Sequence, residues 1–526
     1  MIHINKKVEQ IVPKKKILKQ FEMLKKGTPF VNLFKPACIN NGIKEFSEYE
    51  KEKFVDIFLK VRKTSKIIKF VPASGAATRM LKVLLYFYNN FDKINENQVK
   101  KEAIKGNFDY EFILDFIEGI KSKKFPFYYE LERLLARDNI CIDTLIKHGE
   151  YKSVLEYLLK SKGLNYENLP KALLKFHKYK DSSRTSMEEH IVEGIEYARG
   201  INNIVCIEFA VSPEFKQNVK DFLEEILPIY KKENIKFEIT ISEQEPSTNT
   251  IALDEKGDLL KDCNNNFVLR PGGHGALINN LNNIKGDIIF IKNIDNVVHD
   301  HLKTDTFVYK RALCGYLFQV QAKVFDYLKK LYNKNVSKKY IDEISFFSEH
   351  ELNIFFPVKF KIWKKEKKED FLFKKLNRPI RVCGMVKNEG NPGGGPFWVK
   401  DKDNSVSLQI VENAQIDFTS KEQKDIVACS THFNPVDIIC GIRDFMGNKF
   451  NFNDYINPGT YFISNRSKDG ESIKILELPG LWNGAMADWI TIFAQVPLIT
   501  FNPVKTVNDL LKKEHQPAQD YESVNT

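Results

Sequence analysis

The sequence predicts an α/β fold with a mixed, mostly parallel sheet, on three observations. First, short apolar runs recur that are rich in β-branched residues: IIKFVP at 67–72, NIVCIEFAVS at 203–212, IKFEITIS at 235–242 and DIIFIKN at 287–293. Second, amphipathic helical stretches lie between them, notably SMEEHIVEGIEYARG at 186–200 and PEFKQNVKDFLEEILPIY at 213–230. Strand and helix in alternation at this spacing make parallel pairing through crossovers the expected topology. Third, the polar and small-residue stretches fall where these strands end, which is where open α/β sheets bind ligands.

The elements follow in order. Residues 1–65 read as an N-terminal helical segment, with KKKILKQFEMLKK as an amphipathic helix against the main body. Residues 66–300 read as an α/β core. It is interrupted at about 83–165 by a helical insertion that includes FDYEFILDFIEGI and YKSVLEYLLKS. Ser186 with Glu189 three residues later reads as a capping box. Residues 301–378 form a charged helical connection ending in the basic run KIWKKEKKEDFLFKK. Residues 379–500 turn β-rich, with IRVCGMVKN, PFWVKD and VSLQIVENAQI, and 501–526 close the chain in EHQPAQDYESVNT, read as a frayed tail.

A chain of 526 residues, 43% of them hydrophobic, can bury a large core over two or three domains. The net charge of +11 comes mostly from dispersed lysine, which reads as a solvated surface that draws in anions. The basic residues are not interleaved with aromatics on a recognisable motif, so a nucleic-acid partner is not expected. No apolar run reaches the ~18 residues of a transmembrane helix. The eight cysteines form no C-x-x-C pair and read as buried free thiols in a reducing compartment. MIHINKKVEQ lacks the apolar stretch of a signal peptide, so a cytoplasmic protein is expected, with no membrane partner.

The strand-end motifs carry the chemistry. FVPASGAATR, 70–79, reads either as a phosphate cradle or as a tight turn, with Thr78 and Arg79 near a helix start that favours anions. Only Gly75 is a glycine there; a Cβ at Ala77 costs roughly 1–2 kcal/mol only if that position needs φ > 0. In PKALLKFHKY, Lys171 directly follows a proline and is either a fixed point charge for phosphate or one more surface lysine. RPGGHGAL places three glycines around His274, which lets backbone approach a flat ligand, or makes a bare turn. In NIDN, Asp295 ends a buried strand and can offer Mg²⁺ one carboxylate while phosphates supply other ligands; a strand-end turn is the alternative. GNPGGGPFWV reads as a binding loop or a hairpin. His177, His190 and His299 lack metal-ligand spacing, so no zinc is expected.

In their shared order these motifs resemble the UDP-sugar pyrophosphorylases, the UDP-glucose and UDP-N-acetylglucosamine pyrophosphorylase-like nucleotidyltransferases. The resemblance covers almost the whole chain after residue 66. PASGAATRM looks like the family's glycine-rich loop, with Ser74 and Ala77 where glycines are usual, and PKALLKFHKY looks like its proline–lysine motif. AVSPEF resembles a strand end in relatives, Gln244 in SEQEP matches the uracil-reading glutamine, and PGGHGAL is similar to the loop lying against the base. NIDNV looks like the metal motif. GGGPFWVKDKDNSVSLQIVENAQ resembles the Gly-Gly hairpin and the strand centred on the sugar-contacting Glu, here Glu412. HFNPVDI carries Asn434 where the family has a sugar-binding Asn, ELPGLWNGAMADWITIF resembles the segment before the last motif, and FNPVKTVNDLL closely matches the stretch that puts Lys505 beside the phosphates. The whole chain also resembles a bacterial family of similar length whose function is unassigned.

The resemblance implies a Rossmann-like GT-A nucleotide-diphospho-sugar transferase core that joins a sugar 1-phosphate to UTP with Mg²⁺, giving UDP-sugar and pyrophosphate. It implies that Arg79, Lys171 and Lys505 are catalytic. Ala73, Ser74, Gly75, Ala76, Thr78, Gln244, Gly272, Gly273 and His274 would bind the nucleotide. Gly394, Gly395, Glu412 and Asn434 would bind the sugar, and Asp295 the metal. Two other outcomes stay open: a nucleotide or nucleotide-sugar binding protein without turnover, motivated by the altered loop, and a glycosyltransferase on the same fold. The latter's Asp-x-Asp is matched by only one Asp in NIDN.

Overall fold

The computed structural model describes residues 10–231, 234–262, 267–334, 336–390, 394–401, 405–468 and 471–518, with backbone alone at 434–436, 466–468 and 471. A nine-stranded sheet organises them. Its strands in chain order are β1 (Cys38–Ile39), β2 (Gly42–Lys44), β3 (Ile67–Pro72), β4 (Ile204–Val211), β5 (Lys236–Glu243), β6 (Ile288–Ile291), β7 (Ile380–Lys387), β8 (His432–Gly441) and β9 (Ile490–Gln495). They lie side by side as β1-β2-β9-β7-β8-β6-β3-β4-β5. Only the two pairings of β8, with β6 and β7, are antiparallel. The other six are parallel. The carboxyl ends of eight strands therefore share one edge with the amino end of β8. β3 and β6 are buried along their whole length, as apolar runs covered on both faces must be.

The sheet takes strands from both sides of the boundaries drawn at 300 and 378: β7, β8 and β9 join β3–β6 through a shared core. The N-terminal segment is also less helical than expected. Lys14–Lys26 and Glu48–Val61 are helices, but Leu33–Pro36 pairs with the 395–400 strand, and β1 and β2 form the sheet's edge. Lys35 and Lys44 are half-buried in these strands, and pairing with partners distant in sequence overrides the local helical reading. The capping box is shifted by one residue. Thr185 caps the helix Ser186–Tyr197 with Glu188, which frees Ser186 and Glu189 for contacts with other segments.

Six helices between Lys82 and Leu159 build a helical block with its own core. A hairpin, Gly395–Lys400 with Val406–Val411, and a four-stranded sheet that includes Thr250–Leu253 and Glu471–Glu477 flank the main sheet. The described cysteines are free thiols, four of them buried, while Cys141 and Cys429 are exposed; Cys263 lies outside the described residues. No described helix is long and apolar enough to cross a membrane.

Candidate functional site at the carboxyl edge of the sheet

The loop after β3 continues the strand by one hydrogen bond, Ala73 N to Ala210 O at 2.7 Å, and then leaves it. Ser212 Oγ donates to Ser74 O at 2.9 Å, fixing the turn from the β4 end. Lys171 N donates to Gly75 O at 3.1 Å and Ala77 N to Leu169 O at 3.3 Å, so the proline–lysine segment lies along the loop. Ala77–Arg79 is one 3₁₀ turn, and the α-helix starts only at Lys82 rather than running on directly from Thr78. No residue from 73 to 79 has positive φ. The alanine at 77 is therefore unstrained and buried, and Ser74 costs no left-handed backbone either. Gly75, Ala76, Thr78 and Arg79 are exposed, and a Cβ on Gly75 would meet nothing within 4 Å. The loop is open on the side where a ligand would lie.

Three segments far apart in sequence meet on Asp295. Lys171 Nζ lies 3.1 Å and Lys505 Nζ 2.9 Å from the same carboxylate oxygen, Oδ2. Lys171 is anchored by a second bond, to Val504 O at 2.9 Å, and its side chain is largely buried; that of Lys505 is 62% exposed. Burial alone would raise the Asp295 carboxyl, but Lys171 and then Lys505 outweigh it and hold the group below its ordinary value. Burial in turn pulls Lys171 down from its usual ammonium value, against the attraction of Asp295. The turn beneath Asp295 is held by Ser186 Oγ donating to Ile294 O, with His190 Nε2 3.2 Å from the same oxygen. Behind it, Glu193 takes Lys292 at 2.7 Å and Lys69 at 2.9 Å in the buried interior.

Lys505 is placed by its own loop. Asp509 Oδ2 accepts from the backbone N–H of Lys505 at 2.8 Å and of Thr506 at 2.7 Å. Val504 N bonds to Asp295 O and Val507 N to Met80 O. Arg79 is exposed and forms no ion pair among the described residues, and its charge, like that of Lys505, reaches His274.

Gln244, at the end of β5, is buried and points its amide at the loop: Nε2 is 3.3 Å from Ser74 Oγ and 3.4 Å from Gly273 O. Gly273 has φ +56, and a Cβ on Gly272 would sit 2.5 Å from Thr248 O, so both glycines are required by the backbone path. His274 lies edge-on to Trp482, with ring centroids 5.1 Å apart. Its side chain reaches solvent, yet enough protein surrounds it that desolvation, then the Lys505 and Arg79 charges, lower its imidazole below the usual value, with Asp295 opposing. His274 thus joins the phosphate-type groups to the next cluster.

That cluster is centred on Glu412. Asn483 Nδ2 donates to Glu412 Oε1 at 3.0 Å, while Asn483 Oδ1 accepts from the N–H of Gly480, which packs on His274. Burial, then repulsion from Glu477, raises the Glu412 carboxyl, with the Asn483 bond opposing. Gly394 packs on the backbone of Val411 and Glu412, where a Cβ would lie 2.0 Å from Val411 O; Gly395 pairs with Val411 in the hairpin and approaches His432 O. Asn434 lies in β8, and its side chain is outside the described residues. The structure therefore gathers Arg79, Lys171, Asp295 and Lys505 with the 73–78 loop, Gln244 and the 272–274 turn. It sets Glu412, Gly394 and Gly395 at the far end of the same line.

Several members were not singled out from sequence. Glu477, Trp482 and Asn483 all lie in ELPGLWNG, where a polar pair interrupts an apolar run. Ser212 lies in AVSPEF and Asp509 in FNPVKTVNDLL. The first part of the expected tail is anchored, because His515 is buried with its Nδ1 2.9 Å from His177 Nε2, while 519–526 lie outside the described residues.

A family described as a domain of unknown function, DUF4301, matches residues 3–516. The chain belongs to this family. A search of curated proteins gives no match. Among solved structures, the chain is similar to the uridine diphosphate N-acetylglucosamine pyrophosphorylase from Trypanosoma brucei in complex with inhibitor. Identity there is 11% over 94% of this chain and 74% of that one, with TM-score 0.46. It is also similar to a point mutant of UDP-glucose pyrophosphorylase from Leishmania major in complex with UDP-glucose, at 12% identity over 97% and 79% of the two chains and TM-score 0.40. Likeness at this level carries no argument about the chemistry of a DUF4301 chain, which has to come from its own site.

Proposed function

We propose that this protein is a nucleotidyltransferase that joins a sugar 1-phosphate to UTP. The observation that carries the reading is the charge arrangement at the sheet edge. Two cations, Lys171 and Lys505, grip one carboxylate, Asp295, and a third, Arg79, is exposed on the open loop that the Lys171 backbone N–H bonds. That surplus of positive charge fits polyphosphate. Gln244, bonded to both the loop and Gly273, supports a nucleobase on the 272–274 turn, with its amide as the group that reads uracil.

An oxygen of the sugar phosphate attacks the α-phosphorus of UTP in line, and the bond from that phosphorus to the bridging oxygen breaks, releasing pyrophosphate. The chain supplies position and charge rather than a covalent partner. Arg79 and the 73–78 loop hold the β- and γ-phosphates that leave. Lys171, fixed by Val504 O and Asp295, lies against the α-phosphate, and the more exposed Lys505 meets the incoming phosphate. Glu412, oriented by Asn483, accepts from sugar hydroxyls, with Gly394, Gly395 and Asn434 beside it.

Asp295 fits Mg²⁺ in the one-carboxylate mode. Its Oδ2 takes both lysines, while Oδ1 has no hydrogen bond among the described residues. No described cluster of three or more His, Cys, Asp or Glu could hold a metal, so phosphate oxygens and water would complete the shell. Bound there, the ion would neutralise charge on the α-phosphate. The test is calorimetric titration with UTP, ATP, CTP and GTP in Mg²⁺. UTP is expected to bind most tightly, with the preference lost in Gln244→Ala. Failure of every nucleotide to bind would refute the reading.

A further inference from the structure

The basic run at 361–375 and the turn before it take no part in the site above. The chain here leaves the helix Lys338–His350 and makes a 3₁₀ turn, Val358–Ile362, before the helix Lys365–Leu376. Val358 is 93% and Ile362 82% exposed, and Phe355 is 49% exposed just before them. Exposure that high for large apolar side chains has to be maintained against collapse, and the turn is mounted rigidly. Phe360 points inward at 7% exposure, stacks on Phe356 with centroids 4.5 Å apart, and meets Trp363 and Phe371 at 5.6 and 5.5 Å. Phe360 N and Trp363 N close the turn onto Pro357 O and Phe360 O. Apolar knobs are thus held out on an aromatic base.

Lysines surround the knobs. Lys359, Lys361, Lys364, Lys365 and Lys367 are all exposed. The first three form no ion pair among the described residues; Lys365 pairs with Glu369, and Lys367 lies over the Trp363 ring. We propose that this turn is a peripheral docking tip for an anionic lipid surface, with Val358 and Ile362 entering the headgroup–acyl boundary and the lysines meeting lipid phosphates.

Two features favour a lipid surface over a protein partner. Val358 and Ile362 are almost wholly exposed, so they sit in no groove that would give a partner shape complementarity. A fluid interface needs none, and it rewards a combination of buried apolar area and adjacent cationic charge. This binding is reversible and interfacial, and is separate from the absence of a described membrane-crossing helix.

The test is cosedimentation of the full chain with vesicles of phosphatidylcholine alone or mixed with phosphatidylglycerol, at low and high salt. Binding to the anionic vesicles and not to the neutral ones is expected, weakening as salt screens the lysines. The double variant Val358→Asp/Ile362→Asp is expected to lose at least about tenfold in partitioning. Lys359→Glu/Lys361→Glu/Lys364→Glu is expected to lose a similar factor and the lipid-charge dependence with it. All five positions are exposed, so unchanged melting temperatures will separate lost docking from lost fold. No binding to anionic vesicles at low salt, or full binding by the Val358/Ile362 variant, would overturn the proposal. So would a wild-type dimer that the Val358/Ile362 variant converts to a monomer, because the turn would then be a contact between copies.

Discussion

Two ammonium groups on a single carboxylate oxygen make Asp295 the residue whose neighbours are most informative to change. Lys505 is mostly exposed, so Lys505→Ala is expected to fold normally and to lose at least about tenfold in kcat/KM, ~1.4 kcal/mol. A smaller loss in steady-state assays would remove Lys505 from the mechanism. Gly75→Val tests the cradle from the other side. Its Cβ enters open space and its φ is not positive, so melting should shift by no more than about 0.5 kcal/mol allows. UTP binding, read by calorimetry, should weaken markedly; unaltered binding would place the phosphates elsewhere. Glu412 gives a pH signature. Its folded carboxyl is raised by burial and Glu477, so the stability it contributes is fully present below the unfolded value of about 4.3 and lost as pH rises through the folded one. Glu412→Gln should therefore stabilise the protein at pH 7 relative to pH 4 in thermal melts. No change in that difference would mean Glu412 is not held in a costly charged state. Asp295 stands out in the sequence because it follows a buried strand, whereas Lys171 and Lys505 are singled out chiefly by the resemblance of their motifs. Asn483 and Glu477 were not legible there, because their roles depend on folding 477–483 back onto Gly273 and Glu412.

The C-terminal segment is the element that completes the site. From Pro503, which bridges to Asn296, it runs past Asp295 and Met80 and places Val507 and Leu510 in the core of the helical block. The insertion between Lys82 and Leu159 thus provides the seat for the segment carrying Lys505. Leu510→Ala should cost about 2–5 kcal/mol in denaturant unfolding if that seat is part of the cooperative core, and far less if it is a frayed addition. The segment's far end is fastened by His515, whose imidazole is pushed down to about 3 by burial and then by His177, with Asp509 opposing and Lys512 adding. The sign follows from a folded value below the unfolded one of about 6.5: the stabilisation is complete above that pH and is lost as pH falls toward the folded value. Hydrogen exchange of residues 504–512, corrected for intrinsic rate, should therefore accelerate between pH 7 and 5. Protection that stays constant over that range would show that His515 is not the fastening. The alternating strands and helices from 186 to 293 were readable because their apolar periods are strong. The 33–44 strands and the true cap at Thr185 were not. The former are set by partners more than 350 residues away, at Trp398 and Phe493, and the latter by Glu189 turning to Lys303 and His177.

Across the whole molecule, one sheet edge collects groups from residue 73 to residue 505, and that gathering is what a single motif could not show. The order of the motifs along the chain was informative because successive parallel strands deliver their ends to the same edge. Strands β7, β8 and β9, from beyond the division at 378, return to that same sheet. The net charge of +11 has a local counterpart in the surplus around Asp295 and another at the 359–367 turn. The most direct test of the central claim is pyrophosphate release by the purified protein with Mg²⁺, across four nucleoside triphosphates and a panel of sugar 1-phosphates. Release with UTP and one sugar 1-phosphate is the predicted result. No release with any pair, together with no rise in melting temperature from UTP or UDP, would contradict it.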